Sequence, residues 1–334
     1  MPRSRATIRD VASRAGVSHQ TVSRVINSNE RVNPETRKRV EAAIQELKYS
    51  PNAVARSMAR GRTSLLACFS PTLIDFTYAS IIEAAETEAR RLGYFLLIAS
   101  APEAETFSTL IEQLVDSRRA EGVLVIAPYL DARHARLPHN IPTVFVASQP
   151  DKRGALSVCL DEPKAGFTAT THLLDLGHRQ ILHITGPLLE DCSRHRLEGY
   201  QEALMLAGIQ FDPGLVVEGD WSATSGYQIV QQQRQNGRQF TAIFAQNDRM
   251  AVGAIRALRE AGQHVPEDVS VIGFDDMPLA SYFDPPLTTM RQDLTFIGSE
   301  AVRLLIRRVE EPQFYYEKIS PEAELVLRST TARR

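Results

Sequence analysis

The sequence predicts two structural classes in one chain. A small all-α head of the helix-turn-helix kind precedes an α/β body of two doubly wound lobes. Three observations lead there. Residues 1–62 hold 13 Lys and Arg against 5 Asp and Glu, and the remaining 272 residues hold 25 against 35, so the formal charge of −2 hides a basic head on an acidic body. Within the head, apolar positions recur at helical spacing on both sides of Gly16. From Ser64 onward, short β-branched runs alternate with helix-period stretches, in more units than one ordinary sheet holds.

The head opens on Thr7, which with Asp10 fits a capping box at the start of a first helix. Val11, Ala12 and Ala15 give that helix its apolar stripe, Gly16 permits a tight turn, and Ser18 can cap a second helix running to about Asn27. In the second helix Val22, Val25 and Ile26 face inward, which leaves His19, Gln20, Ser23 and Arg24 outward. Gln20 and Arg24 are four apart and share a face. Gln pairs with an adenine edge and Arg forks onto guanine, so this face suits base reading; a solvated face of a small bundle would show the same period. Asn33 as cap and Pro34 at the first position open a third helix with Val40, Ala43, Ile44 and Leu47 as its core stripe. A basic N-terminal helix-turn-helix points to DNA as the partner.

Residues 49–62 are Ala-rich, with three arginines and no acid. A free helix of about nine residues is marginal in water, so this segment is helical only when docked, for example in a DNA minor groove. Met58 is its one long apolar side chain and could wedge between base steps. On physical grounds alone, a plain linker is the favoured reading.

In the body, strands are expected at Leu65–Phe69, Phe95–Ala99, Val123–Ala127, Thr143–Ala147, Leu156–Leu160, Ile181–Thr185, Ala242–Gln246 and Val269–Phe274. Helices are expected at Tyr78–Leu92, Thr106–Arg118, Gly166–Leu176, Arg196–Ala207, Ser225–Gln235, Arg249–Ala261 and Phe296–Val309. This alternation implies parallel sheets with a cleft at the strand carboxyl ends, and polar groups collect there. Asp248 and Asp276 are expected as helix caps. Asn247 and Asp275, one residue nearer their strands, are expected in the cleft. Trp221, the only tryptophan, lies between Asp220 and Ser222 in a polar loop, where its ring suits the C–H face of a sugar. Arg196 could fork onto two neighbouring hydroxyls or sit as a solvated helix residue.

Composition excludes several classes. No apolar run approaches the ~18 residues of a membrane span, and the N-terminus shows no secretory signal. The three cysteines form no CxxC and read as reduced; the eight histidines form no HExxH, so no metal or other cofactor is expected. Ser70-Pro71-Thr72-Leu73 after the first strand is no phosphate loop, which weighs against a sugar kinase or similar enzyme. A solute-binding protein would need a signal peptide and no DNA-binding head.

Residues 7–62 resemble the head and hinge of the lactose-repressor family of bacterial transcription regulators. The matching residues are Asp10-Val11-Ala12, Ala15-Gly16-Val17-Ser18, Thr21 through Asn27, and Pro51 through Arg56. The resemblance continues through the body in Gly177-His178-Arg179, Arg196 with Gly199-Tyr200, Gly219-Asp220-Trp221-Ser222, Asn247-Asp248, Gly273-Phe274-Asp275-Asp276 and Pro286-Leu287-Thr288-Thr289. It implies DNA contacts from Thr7, Ser18, His19, Gln20, Thr21, Ser23, Arg24 and Asn27 in the head. It adds Asn52, Ala55 and Met58 in a hinge helix, with Met58 at the family's wedge-leucine position. It implies a body like a periplasmic sugar-binding protein, with three crossovers between lobes. There Arg196, Asn247 and Asp275 bond the effector, Trp221 stacks on it, and Gln292 lies near the hinge. Two stretches depart from the family pattern: Thr72 to Tyr78, and Asp161-Glu162 with Ala165-Gly166. No leucine heptads follow Thr331, so a homodimer is expected rather than a tetramer.

The expected organisation is a DNA-binding domain at 1–48, a hinge at 49–62, and an effector-binding and dimerisation domain at 63–332. Lobe 1 spans about 63–163 and 294–321, and lobe 2 about 164–291 and 322–332. The expected function is a cytoplasmic, non-enzymatic repressor of carbohydrate-utilisation genes that binds palindromic operator DNA and is released by a small sugar or glycoside. The same architecture sensing a purine or nucleoside is the alternative.

Overall fold

A computed structural model describes residues 6–26, 32–49, 63–116, 119–126, 136–138, 140–148, 156–314 and 318–334. The chain divides into two compact units, Met1–Thr63 and Ser64–Arg334. In the first, α1 (Ile8–Ala15), α2 (His19–Ile26) and α3 (Pro34–Glu46) pack around Val11, Ala12, Ala15, Val22, Val25, Val40 and Ala43. The Thr7–Asp10 capping box forms in both directions, with the Asp10 amide donating to Thr7 Oγ1 at 3.3 Å and the Thr7 amide to Asp10 Oδ2 at 2.7 Å. Gly16 ends α1 at φ 65°, a left-handed position that a side chain rarely adopts. Ser18 Oγ accepts the Thr21 amide at 3.2 Å and Asn33 Oδ1 the Glu35 amide at 2.9 Å, so helix starts follow the expected caps. Asn27 and the segment holding Asn52, Ala55 and Met58 lie outside the described residues.

The second unit contains two sheets. The first is ordered β11-β5-β4-β3-β1-β2, from β1 (Leu65–Ser70), β2 (Phe95–Ser100), β3 (Gly122–Ile126), β4 (Thr143–Val146), β5 (Leu156–Val158) and β11 (Lys318–Ile319). All its pairings are parallel. The second is ordered β12-β10-β9-β8-β6-β7, from β6 (Ile181–Thr185), β7 (Val216–Glu218), β8 (Ala242–Ala245), β9 (Ser270–Asp275), β10 (Thr288–Arg291) and β12 (Glu324–Val326); only β12 runs antiparallel, against β10. The central strands β3, β6 and β8 are buried along their whole length, which is why their sequences are continuous apolar runs instead of alternating ones.

Helices cover the sheets: α4 (Phe76–Arg91), α5 (Ala104–Ile111) and α10 (Leu294–Glu310) in the first lobe, and α6 (Glu162–Asp175), α7 (Asp191–Leu206), α8 (Ala223–Gln235) and α9 (Asp248–Glu260) in the second. The chain passes between lobes three times: from β5 into α6, from β10 into α10, and from β11 to β12. The first passage ends before Glu162, because Asp161 caps α6 through its bond from the Lys164 amide. Among the described residues no helix is long and apolar enough to cross a membrane.

Where observation departs from expectation, the causes are local. The helix expected over Thr106–Arg118 stops at Ile111 and continues as a π turn, Glu112–Asp116. Strands β7, β10, β11 and β12 are only two to four residues long, too short for a period to show. Asp248 and Asp276 do not cap helices. The cap of α9 is Asn247, whose Oδ1 accepts the Met250 amide at 2.8 Å. Asp248 is instead fully buried, accepting from Thr289 Oγ1 at 2.6 Å and the Met277 amide at 2.8 Å. Asp276 pairs with Arg291 and Arg328, each at 2.6 Å. The helix begins one residue earlier than the strand-end pattern suggests, which gives the cap to the residue expected in the cleft.

Candidate functional site

The strand carboxyl ends of both sheets face one cavity of about 320 Å³. Its first-lobe side is largely apolar, with Tyr78, Ile81, Val146, Val158 and Ile297. Its second-lobe side is polar and holds Arg196, Trp221, Asn247 and Asp275, while Gln292 lies just after β10, on the passage back to the first lobe. All five body residues singled out in the sequence line this one cavity.

Arg196 is only 4% exposed. Its Nε and Nη2 donate to the two oxygens of Glu162 at 2.6 and 3.2 Å, and Nη1 donates to the Gln246 carbonyl at 2.8 Å. The guanidinium also lies over the Phe274 ring, 3.5 Å from its centroid. Burial works against its charge, but the Glu162 carboxylate outweighs this, so the pKa moves up and the cation persists. Arg196 is therefore neither solvated nor wholly free for hydroxyls: its fork is held by a carboxylate on α6. Gly166 lets the two helices come this close, since a Cβ there would stand 2.2 Å from the Arg196 carbonyl oxygen.

Trp221 is half-buried. Its ring lies against Gly186, where a Cβ would meet it at 2.0 Å, and its indole N–H donates to Glu190 Oε2 at 3.1 Å. Asn247 Nδ2 donates to the Trp221 carbonyl at 3.0 Å, so the α9 cap also holds the tryptophan loop. Gln292 Nε2 donates to Asp275 Oδ1 at 2.7 Å. Burial, then the nearby Asp248 carboxylate, holds the Asp275 carboxyl well above the usual range despite Arg196. Among the described residues, three of the six non-glycine residues with positive φ line this cavity: Ala147 at 61°, Trp221 at 68° and Asp275 at 109°. Such backbone costs on the order of 1–3 kcal/mol each and gathers where function requires a fixed geometry.

Sequence reasoning missed further groups. Glu190 is 6% exposed and burial pushes its carboxyl up to about 7. Gln246, fully buried, accepts the Gly186 amide at 3.1 Å and donates to His183 and to the Ser193 carbonyl, tying three segments under the cavity floor. Asp75, in the stretch that departs from the family pattern, caps α4 and pairs with Arg249 of α9 at 2.5 Å, joining the lobes. Only strand-end position could have flagged Glu190 and Gln246; nothing in sequence pairs Asp75 with Arg249.

In the head, His19, Gln20 and Arg24 are exposed on one side of α2, and Ser23 is half-buried. Thr7, Ser18 and Thr21 gather at helix starts, where Thr7 and Ser18 serve as caps and Thr21 Oγ1 lies 3.0 Å from Ser18 Oγ. Helix N-termini and exposed side chains of this kind are suited to phosphates and base edges respectively.

The comparisons with known proteins agree with this architecture. Residues 7–52 match the family described as bacterial regulatory proteins, lacI family, and residues 170–331 match the periplasmic binding protein-like domain. The HTH-type transcriptional repressor PurR of Pasteurella multocida (strain Pm70) is 36% identical over 333 residues, covering 98% of this chain and 99% of its own. The ribose operon repressor of Escherichia coli (strain K12) is 33% identical over 317 residues, covering 94% of this chain and 96% of its own. The solved lac repressor dimer bound to operator and the anti-inducer ONPF matches with a TM-score of 0.91 at 34% identity, covering 98% of this chain and 100% of that one. With this likeness running from the helix-turn-helix through both lobes, the chain belongs to the lacI family of bacterial regulatory proteins.

Proposed function

We propose that this chain is a cytoplasmic transcriptional repressor, a binding protein and not an enzyme, that is released from operator DNA by a small sugar or glycoside. The observation that carries the effector reading is the convergence of Arg196, Trp221, Asn247 and Asp275 on one interlobe cavity. A volume of about 320 Å³ sits at the small end of the ~300–1,000 Å³ range of ligand sites, the size for a monosaccharide or short glycoside. Trp221 offers a ring face, and the polar wall offers acceptors for hydroxyls. The head, at residues 1–48, reads DNA through His19, Gln20, Ser23 and Arg24, with Thr7, Ser18, Thr21 and Asn27 beside them. Residues 49–62 act as the hinge, with Asn52, Ala55 and Met58 in the minor groove. The working form is a homodimer on a palindrome, in line with the lac repressor dimer. Supporting this, β2 ends its sheet with Phe95 69% and Ile98 37% exposed, an apolar edge that a second copy would cover.

A thermal-shift panel of monosaccharides, glycosides, nucleobases and nucleosides tests the effector reading, since a ligand that binds only the folded state raises stability by mass action. Trp221, as the only tryptophan, reports occupancy by fluorescence. A shift with sugars and a tryptophan response is the expected result. A shift with nucleobases alone would replace the sugar by a purine.

A further inference from the structure

The cavity is lined by more carboxyl groups than cations. Both of its guanidinium groups are taken: Arg196 by Glu162 at 2.6 Å and Arg249 by Asp75 at 2.5 Å. Glu190, Asp275 and the more exposed Asp220 also line it, with no cationic partner among the described residues. Glu190 Oε2 accepts the indole N–H, and Cys192 Sγ stands 3.9 Å away. Glu190 Oε1 accepts no hydrogen bond among the described residues. Asp275 Oδ1 takes the Gln292 amide, and its Oδ2 accepts none. Both carboxyls also feel the field of Asp75 and of Arg196, which places them in one electrostatic neighbourhood.

A buried carboxylate with an open oxygen asks for a donor, and without a counter-charge it stays costly. A sugar hydroxyl supplies the donor and leaves the charge. A phosphate or carboxylate on the ligand brings neither a donor nor a counter-charge to a carboxyl-rich wall. An ammonium supplies both the donor and the charge, in the stronger charge-assisted form. We propose that the cleft selects an amino sugar, its protonated amine held by Glu190, with Asp275 as the second carboxyl group of the same wall and the ring against Trp221. This rests on the reading of the cleft as a sugar site and narrows it.

The experiment compares matched triplets by calorimetric titration into the full-length protein at neutral pH: glucosamine, glucose and N-acetylglucosamine, with the galacto and manno series alongside. The expected result is that in at least one series the free amine binds tenfold or more tighter than both the neutral sugar and the acetylated amine. A neutral or acetylated sugar that binds as tightly as its amine overturns the amine assignment and leaves the sugar reading standing. Binding by no member of any series overturns the amine assignment, and the sugar reading is then decided by the wider thermal-shift panel. Glu190→Gln keeps the acceptor for the indole and removes the charge, so it should bring the amine-to-neutral ratio down to near one. A ratio unchanged in a Glu190→Gln protein with native circular dichroism overturns the assignment to Glu190. Should that variant not fold, the triplets on the unaltered protein still decide the proposal.

Discussion

A carboxyl that is 6% exposed, with only an indole N–H and a long thiol contact as donors, is costly to keep, and the cost depends on pH. Burial raises Glu190 from 4.5 to about 7, so the folded state holds the proton more tightly than the unfolded chain does. Its contribution to stability is therefore fully present below pH ~4.5 and is lost as pH rises to about 7. Glu190→Gln removes this dependence. Relative to the unaltered protein, the variant should gain on the order of 1–3 kcal/mol between pH 5 and pH 8, read from urea unfolding at both values. An identical difference at the two pH values would show that the carboxyl is not shifted. In the head, Arg24 is exposed on α2 beside Gln20, one turn away. Arg24→Ala should cost ~1–3 kcal/mol of operator affinity and relax base preference at one position per half-site. Uniform weakening across all duplex sequences would make Arg24 a phosphate contact. Arg196, Trp221, Asn247, Asp275 and Gln292 could be named from sequence because each stands just after a strand, in the polar loop before a helix, or in a motif. Their partners could not. That Arg196 is gripped by Glu162 and Trp221 by Glu190 depends on helices and loops 34 and 31 residues apart being folded together.

At the scale of elements, periodicity located the buried strands to within two residues, since fully apolar runs bounded by turns leave few choices, and the long helices to within five, apart from the one that becomes a π turn after Ile111. It failed for β7, β10 and β12, whose three or four residues take strand geometry from their neighbours in the sheet. It also misplaced the cap at α9, where Asn247 serves the helix and the Trp221 loop at once. The pairing of two helix starts across the cleft was equally invisible. Asp75 heads α4 and accepts the Thr77 amide at 3.0 Å, while its other oxygen meets Arg249, the second residue of α9. The pair is partly exposed, so screening limits it to about 0.2–1 kcal/mol. Arg249→Ala should therefore weaken effector binding by at most about fivefold, more at low salt than at high. Titrations at two ionic strengths check this; an effect independent of salt would mean that Arg249 touches the ligand directly instead of joining the lobes.

At the scale of the molecule, function depends on whether the cleft and the head are energetically linked. The lobes are joined by three passages of chain, and the cavity takes its walls from both, so an occupant that touches both sides favours one arrangement of the lobes. The first strand of the first lobe, β1, starts at Leu65, directly after the segment that leads to the head, so the first lobe is the one the chain joins to the head. Linkage then requires reciprocity: whatever factor the effector takes from operator affinity, operator must take from effector affinity. For a coupling of roughly 1–3 kcal/mol that factor is about 5–150. The two heads of a dimer should also give an affinity for a palindrome that falls linearly in log salt, by roughly 0.9 per phosphate neutralised. The decisive measurement is a pair of titrations at one salt concentration, operator with and without saturating effector, and effector with and without saturating operator. Equal factors, both lowering affinity, are the expected result. Equal factors that raise affinity would make the ligand a co-repressor. No change in either titration would mean that the cleft, though built for a ligand, does not speak to the DNA-reading helix.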